Sequence, residues 1–197
     1  MRKTTASKLT VALLVPLALM ACWRSTPSFR GTALNPPRAA LDFTLTDADG
    51  QPFQLSHQRG KVVLLFFGYT HCPDVCPTTL AMWRQVYDAL GDDADRVRFV
   101  FITVDPQRDT PERLKVHLQA FNPKFIGLTG SPEELEKAYQ AFGVFQEKDT
   151  TSETAAGYLV THTASSFLVD PEGQWRERLS YGTPVEDIVH DVRAVLE

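Results

Sequence analysis

The sequence predicts an α/β domain of three layers, in which helices cover a central mixed β-sheet and a β-hairpin lies at the N-terminal end of the fold. Two continuous apolar runs, residues 61–67 and 97–104, are typical of strands that are buried on both faces. Helix-initiating motifs follow these runs, and Asp-Gly and Pro-Glu-Gly turns mark two hairpins. A chain of 197 residues with 43% hydrophobic and 22% charged residues fits one such domain.

The charge balance excludes some partners. The chain has 20 Lys and Arg residues against 24 Asp and Glu residues, which gives a formal net charge of −4. A protein that binds a phosphate backbone usually carries a basic surface instead. We therefore expect no nucleic-acid partner, and the composition also excludes a polytopic membrane protein.

Residues 1–21 have the pattern of a signal peptide. Three basic residues precede an apolar run over residues 9–20, and no acidic residue interrupts the segment. This run is too short for a transmembrane helix, which needs about 20 residues. Leu-Met-Ala-Cys at positions 19–22 resembles a bacterial lipobox, so Cys22 is expected to become the lipidated first residue of an envelope protein on the extracytoplasmic side of a membrane.

The next segment, residues 22–40, is rich in Ser, Thr, Pro and Arg and has no hydrophobic period. This composition predicts a flexible tether between the lipid anchor and a domain over residues 41–197. The domain begins with a hairpin, because apolar and polar residues alternate on either side of Asp49-Gly50. The buried strand at 61–67 follows directly.

A helix is predicted after this strand, starting at Pro77 and ending at Gly91. Its apolar face consists of Leu80, Trp83, Tyr87 and Leu90.

The second buried strand, 97–104, precedes two more helices, and a hairpin separates these from a last helix. Ser/Thr-Pro pairs predict the three helix starts at Thr110, Ser131 and Thr183, and a capping box adds to the second of them. The hairpin is predicted around the turn at residues 170–173. The expected order is hairpin, strand, helix, strand, helix, helix, hairpin, helix.

Thiol chemistry is expected at one place in the domain. With Cys22 assigned to lipid, Cys72 and Cys76 are the two remaining cysteines. Their spacing closes too small a loop for a disulfide to add much stability. They lie between a buried strand and a helix start, where backbone N–H groups and the helix dipole favour thiolate over thiol. The residues indicate reactive sulfur, either a metal ligand or a nucleophile.

Residues 67–79, Phe-Gly-Tyr-Thr-His-Cys-Pro-Asp-Val-Cys-Pro-Thr-Thr, resemble the signature of the Sco/SenC family of copper proteins. Residues 103–112 and 157–173 resemble two further segments of the family, so the resemblance covers roughly residue 41 to the C-terminus. It implies a thioredoxin-like fold on a membrane tether, and copper bound for assembly of the dinuclear copper centre of cytochrome c oxidase. The implied ligands are Cys72, Cys76 and His162.

Two thiolates and one imidazole suit Cu(I), and with an added ligand they also hold Cu(II). His71 is a poor co-ligand, because neighbours in an extended segment point to opposite sides.

Family members often carry an Asp before the ligand histidine, and Thr161 here leaves the orientation of the imidazole to a hydroxyl, a carbonyl or water. Asp74 is expected either as a local acceptor or occasional ligand, or as a helix-capping turn residue. The remaining histidines are expected in a polar stretch or on helix surfaces: His57, His117 and His190.

Two functions remain open. The first is a copper chaperone that delivers metal to the copper-bearing subunit of the oxidase, with another periplasmic copper carrier as a second candidate partner. The second is a thiol-disulfide reductase that uses Cys72 and Cys76 as its catalytic redox pair and keeps the cysteines of such partners reduced. Three residues between the cysteines, and no proline over 157–170, favour metal binding. A peroxidase ranks last, since Thr70 lies two rather than three residues before Cys72.

Overall fold

The structure, a computed structural model, describes residues 28–154 and 157–197. Cys22, the expected signal peptide and the first residues of the expected tether lie outside this part of the chain. Within it, no helix has the length and apolar character needed to cross a lipid bilayer.

The described residues form ten strands and four α-helices. The strands are β1 (Thr32–Ala39), β2 (Thr44–Asp47), β3 (Pro52–Gln54), β4 (Val62–Gly68), β5 (Val97–Thr103), β6 (Ile126–Thr129), β7 (Gln146–Thr154), β8 (Gly157–His162), β9 (Ser165–Val169) and β10 (Gln174–Ser180). The helices are α1 (Val75–Leu90), α2 (Pro111–Gln119), α3 (Pro132–Phe142) and α4 (Val185–Leu196).

Eight of these strands build one mixed sheet in the order β1-β10-β9-β4-β5-β6-β2-β3. The β4–β5 and β5–β6 pairs are parallel, and the remaining pairs are antiparallel. β7 and β8 pair with each other in a separate antiparallel hairpin. The central position of β4 explains its apolar sequence, because all seven of its residues are buried.

Phe66 and Phe67, adjacent residues of β4, show how the helices cover both faces of the sheet. Their side chains point to opposite faces, as successive residues of a strand do. The ring of Phe66 contacts Trp83 of α1 on one face, and the ring of Phe67 contacts Tyr139 and Phe142 of α3 on the other. The predicted three-layer α/β architecture is therefore confirmed.

The observed starts of α2 and α3 agree with the starts predicted from the sequence, and those of α1 and α4 differ from them. Thr110 and Ser131 cap α2 and α3 with their side chains, and Ser131 forms the predicted capping box. α4 instead has Pro184 at its N-cap, because the Thr183 hydroxyl donates to the carbonyl of Ser180 in the preceding turn.

The start of α1 lies two residues earlier than predicted, at Val75. Asp74 occupies the N-cap position of α1, as expected for a capping turn residue, but its side chain makes no capping hydrogen bond there. The earlier start places Cys76 in the first turn of the helix. Val86 replaces Tyr87 on the fully buried face of α1.

Several strands carry no sequence signal strong enough to predict them. β1 lies in the segment expected to be a tether, and it pairs as an edge strand with β10 although nearly all its side chains are exposed. The expected tether over 22–40 thus overlaps a strand at 32–39. β6 has only four residues, and the β7–β8 hairpin is mostly polar.

Candidate metal centre

The side chains of Cys72, Cys76 and His162 converge at one place beside the end of β4. Their sulfur and ring nitrogen atoms all lie within 4.8 Å of one another, the one such group of metal-ligand side chains in the described part of the chain. The Nε2 atom of His162 is 3.7 Å from the Cys76 sulfur, across 86 positions of sequence. The structure thus brings together the three residues that the family resemblance implies.

The two cysteines differ in exposure. Cys76 is fully buried in the first turn of α1, whereas Cys72 is half-buried in the loop before it. The backbone N–H of Cys76 faces the Cys72 sulfur at 3.5 Å, and the Cys72 N–H donates to the carbonyl of Tyr69. The helix N-terminus therefore stabilises negative charge on the more accessible sulfur.

The two sulfurs shift each other's pKa in opposite directions. The hydrogen bond that the Cys76 thiol donates lowers the pKa of Cys72 far below its ordinary value, and contacts with His162 and backbone N–H groups act in the same direction. The same hydrogen bond, together with burial, raises the pKa of Cys76. These opposite shifts favour a thiolate at Cys72 and a thiol at Cys76, and a metal that binds both sulfurs displaces the remaining proton.

His162 ends β8 with its imidazole already oriented. Its Nδ1 atom lies 3.2 Å from the carbonyl oxygen of Thr163. Because a carbonyl can only accept, Nδ1 donates this hydrogen bond, and Nε2 is the ring nitrogen that faces the sulfurs. The rings of Phe66 and Tyr69 both contact the imidazole edge-to-face at 5.9 Å. A backbone carbonyl thus orients the histidine, while Thr161 is exposed.

A buried carboxylate anchors the loop that carries the cysteines. Asp109 is 1% exposed and accepts hydrogen bonds from the Thr70 amide at 3.1 Å, the Thr70 hydroxyl at 2.6 Å and the Thr103 hydroxyl at 2.7 Å. Reasoning from single residues missed Asp109. Its one signal was its place in the 103–112 segment that resembles the family.

The other histidines do not join the group. The Nδ1 atom of His71 lies 3.3 Å from the Thr70 hydroxyl and 3.8 Å from Asp109, and His71 is not among the three residues of the group. His117 was expected on a helix surface, but it is half-buried against the Phe101 and Phe121 rings, because α2 turns this side toward the sheet.

The chain is similar to a known protein family and to several solved structures. A family model described as SCO1/SenC matches residues 32–197. Apo Sco1 from Thermus thermophilus is 42% identical with a TM-score of 0.77, over 87% of this chain and 99% of that one. ScoI from Bradyrhizobium japonicum, solved with copper bound, is 39% identical with a TM-score of 0.73. The match covers 80% of this chain and 99% of that one. BsSco, in which a disulfide switch was identified, is described as a member of the Sco family of cytochrome c oxidase assembly proteins. It is 27% identical with a TM-score of 0.65, and the match covers 81% of this chain and 94% of that one.

Proposed function

The chain belongs to the SCO1/SenC family, and on this premise we propose that it is a copper chaperone. It carries copper on Cys72, Cys76 and His162 and delivers it to the copper-bearing subunit of cytochrome c oxidase. The observation that supports this function is the convergence of two sulfurs and one imidazole nitrogen within 4.8 Å.

The donor set fits copper. Soft thiolates select Cu(I), and imidazole nitrogen adds affinity for Cu(II). A structural zinc site would normally use four protein ligands, and the described residues supply three in this group. Because each ligand is lost or weakened by protonation, copper loading releases the proton that Cys76 holds, and low pH opposes loading.

The difference in exposure between Cys72 and Cys76 determines the side from which the metal is released. Cys72 is half-buried beside the exposed residues Pro73 and Asp74, whereas Cys76 is enclosed. A thiolate of the recipient subunit therefore meets the metal first on the Cys72 side. Handover proceeds by ligand exchange, and no covalent chemistry on the protein is needed.

The experiment that tests copper binding is a stoichiometry measurement on the purified protein in a Cys22→Ser background, where Cys72 and Cys76 are the only thiols. The reduced protein should bind one Cu(I) per chain. The form with a disulfide between the two cysteines should bind none, because both thiolates are then consumed. Equal copper binding by the two forms would contradict the proposal.

A thiol-disulfide reductase is the second candidate, and one observation favours it. The half-buried thiolate of Cys72 and the protonated thiol of Cys76 are the nucleophile and the resolving group that disulfide exchange needs. His162→Ala separates the two functions, since exchange needs the sulfurs alone. If the His162→Ala variant supported oxidase assembly normally in cells, the chaperone function would be wrong and the reductase function would take its place.

We also propose that the protein is a lipoprotein of the bacterial envelope, anchored through Cys22. The support is the Leu-Met-Ala-Cys motif after a signal-peptide pattern. Each buried CH₂ of an acyl chain contributes about 0.8 kcal/mol to membrane binding, so a multiply acylated cysteine holds firmly. Cys22→Ser should leave the protein in the soluble fraction with copper binding intact. An unmodified Cys22 in the mass spectrum of the mature wild-type protein would contradict the anchor.

A further inference from the structure

The position of His162 relative to the sulfurs needs an explanation, because β8 is not part of the main sheet. β8 pairs only with β7 among the described strands, so no sheet hydrogen bonds hold this hairpin against β4. His162 is its last residue and lies three positions before β9, which pairs with β4 in the main sheet. Contacts of side chains along the hairpin add to this chain connection in holding the imidazole near the cysteine loop. Residues at alternate positions of a strand point to the same side, so Tyr158 and Val160 share the face of His162.

Tyr158 makes three of the contacts that hold the hairpin. Its hydroxyl donates a 2.6 Å hydrogen bond to the Oδ1 atom of Asp105. The guanidinium of Arg108 lies 3.6 Å from the centre of its ring, and the ammonium of Lys148 lies 3.5 Å from it. Two cations at such distances cannot share one face of a ring, so they hold the ring from both sides.

The acceptor, Asp105, lies in the loop between β5 and α2, which also carries Asp109, the residue that anchors the cysteine loop. Asp105 is 4% exposed, and its amide donates to the Thr103 hydroxyl at 2.9 Å. That hydroxyl donates to Asp109, and Asp109 accepts from Thr70 two residues before Cys72. A continuous series of short hydrogen bonds therefore joins the hairpin of His162 to the loop of Cys72.

We propose that Tyr158 is a positioning residue for the metal centre: by docking the β7–β8 hairpin on Asp105, it sets the distance between the His162 imidazole and the two sulfurs. This inference rests on the proposed copper-binding function. Removal of the Tyr158 hydroxyl should therefore affect the histidine ligand more than the two sulfurs, because Tyr158 and His162 belong to the same strand.

The test is Tyr158→Phe, which keeps the ring and its cation contacts and removes only the hydrogen bond to Asp105. We expect the affinity for Cu(II) to fall about tenfold and its thiolate-to-copper absorption to change. The affinity for Cu(I) should change less than threefold, because two thiolates hold that ion without the imidazole. Tyr181→Phe, at an exposed tyrosine in the turn after β10, is the matched control and should match wild type.

A double-mutant cycle separates positioning from general destabilisation. If Tyr158 acts through the imidazole, Tyr158→Phe should cause no further loss of Cu(II) affinity in a His162→Ala background. An equal tenfold loss in that background, or no loss in the wild-type background, would overturn the proposal. Asp105→Asn, which weakens the same hydrogen bond from the other side, should reproduce the split between Cu(II) and Cu(I) and keeps the test valid if Tyr158→Phe folds poorly.

A metal-free measurement makes the test independent of the proposed function. In the apo protein, hydrogen exchange at the Val160 amide, which donates to the Tyr69 hydroxyl, should be faster in Tyr158→Phe than in wild type or Tyr181→Phe. Unchanged exchange would overturn the docking role. If His162→Ala alone left Cu(II) affinity unchanged, the ligand set of the proposed function would fail, and the exchange rates would still decide the role of Tyr158.

Discussion

Gly68 leaves the space that the sulfur of Cys76 occupies. A Cβ atom on Gly68 would lie 2.9 Å from that sulfur, and 2.8 and 2.9 Å from the rings of Phe66 and Phe101. The backbone at Gly68 does not have a positive φ, so the requirement is for space and not for an unusual conformation. The last residue of β4 thus determines how closely α1 brings its buried cysteine to the sheet.

Gly68→Ala should therefore damage both stability and the metal centre. Overpacking a core position typically costs about 1–3 kcal/mol of unfolding free energy, and here the displaced atom is a ligand sulfur, so copper affinity should fall too. Gly127→Ala is the matched control, because its Cβ would press on Leu118 at 2.7 Å in another part of the core. Chemical denaturation and copper titration of both variants provide the check. Equal copper affinities of the two variants would contradict a specific effect at Cys76.

His162→Ala should reduce the affinity for Cu(II) more than tenfold, since it removes the nitrogen donor that this ion prefers. His71→Ala should change it little, because His71 faces Thr70 and Asp109 and does not contribute to the ligand group. Competition titration against a chelator of known affinity measures both. If His71→Ala proved as damaging as His162→Ala, the assignment of the histidine ligand would be wrong.

The two cysteines should differ in reactivity toward an alkylating agent. The lowered pKa of Cys72 means that its thiolate is already formed, so labelling at Cys72 should be rapid and nearly constant between pH 5 and 8. An ordinary thiol with a pKa of about 8.5 reacts about tenfold faster for each pH unit over this range. Cys76, buried and with a raised pKa, should label far more slowly.

Peptide mass spectrometry after timed labelling of the apo protein distinguishes the sites. In Cys72→Ser, the remaining Cys76 loses the neighbouring thiolate and should show the steep pH profile of an ordinary buried thiol. A tenfold rise per pH unit at Cys72 in the wild type would refute the lowered pKa of this thiol.

Glu177 should make the protein less stable as the pH rises. It is fully buried on β10 beside Asp191 of α4, and burial together with the Asp191 carboxylate raises the pKa of Glu177 to about 8. Between an unfolded pKa of about 4.3 and this value, the native state keeps a proton that the unfolded state releases. The unfolding free energy therefore falls with rising pH over this window, by up to about 1.4 kcal/mol per pH unit from this one proton.

Glu177→Gln should flatten this dependence, because an amide cannot ionise but can still donate to Asp191. Glu186→Gln, at an exposed position on α4, is the control and should keep the wild-type slope. Urea denaturation at pH 5, 6, 7 and 8 measures the three slopes. A Glu177→Gln variant with the wild-type slope would show that another group is responsible.

Local patterns predicted the elements that local interactions determine. The apolar runs of β4 and β5, the capping box of α3 and the hairpin turns depend on residues that are close in sequence. β1 could not be predicted, because its residues are exposed and its stability comes from pairing with β10, more than 130 positions away in the chain. β6 lacks the length for a clear pattern, and only its neighbours β5 and β2 identify it as a strand.

The sequence by itself determined the reactive cysteine pair, because spacing, the preceding strand and the following helix are local properties. The resemblance to a known family added His162. Only the tertiary structure decided which sulfur holds the proton, which atom orients the imidazole and how Asp109 and Tyr158 connect the two halves of the site. The physical reason is that these properties depend on distances of a few ångströms between segments far apart in the chain. Packing of the loops and the β7–β8 hairpin against the sheet sets those distances, and sequence spacing does not contain them.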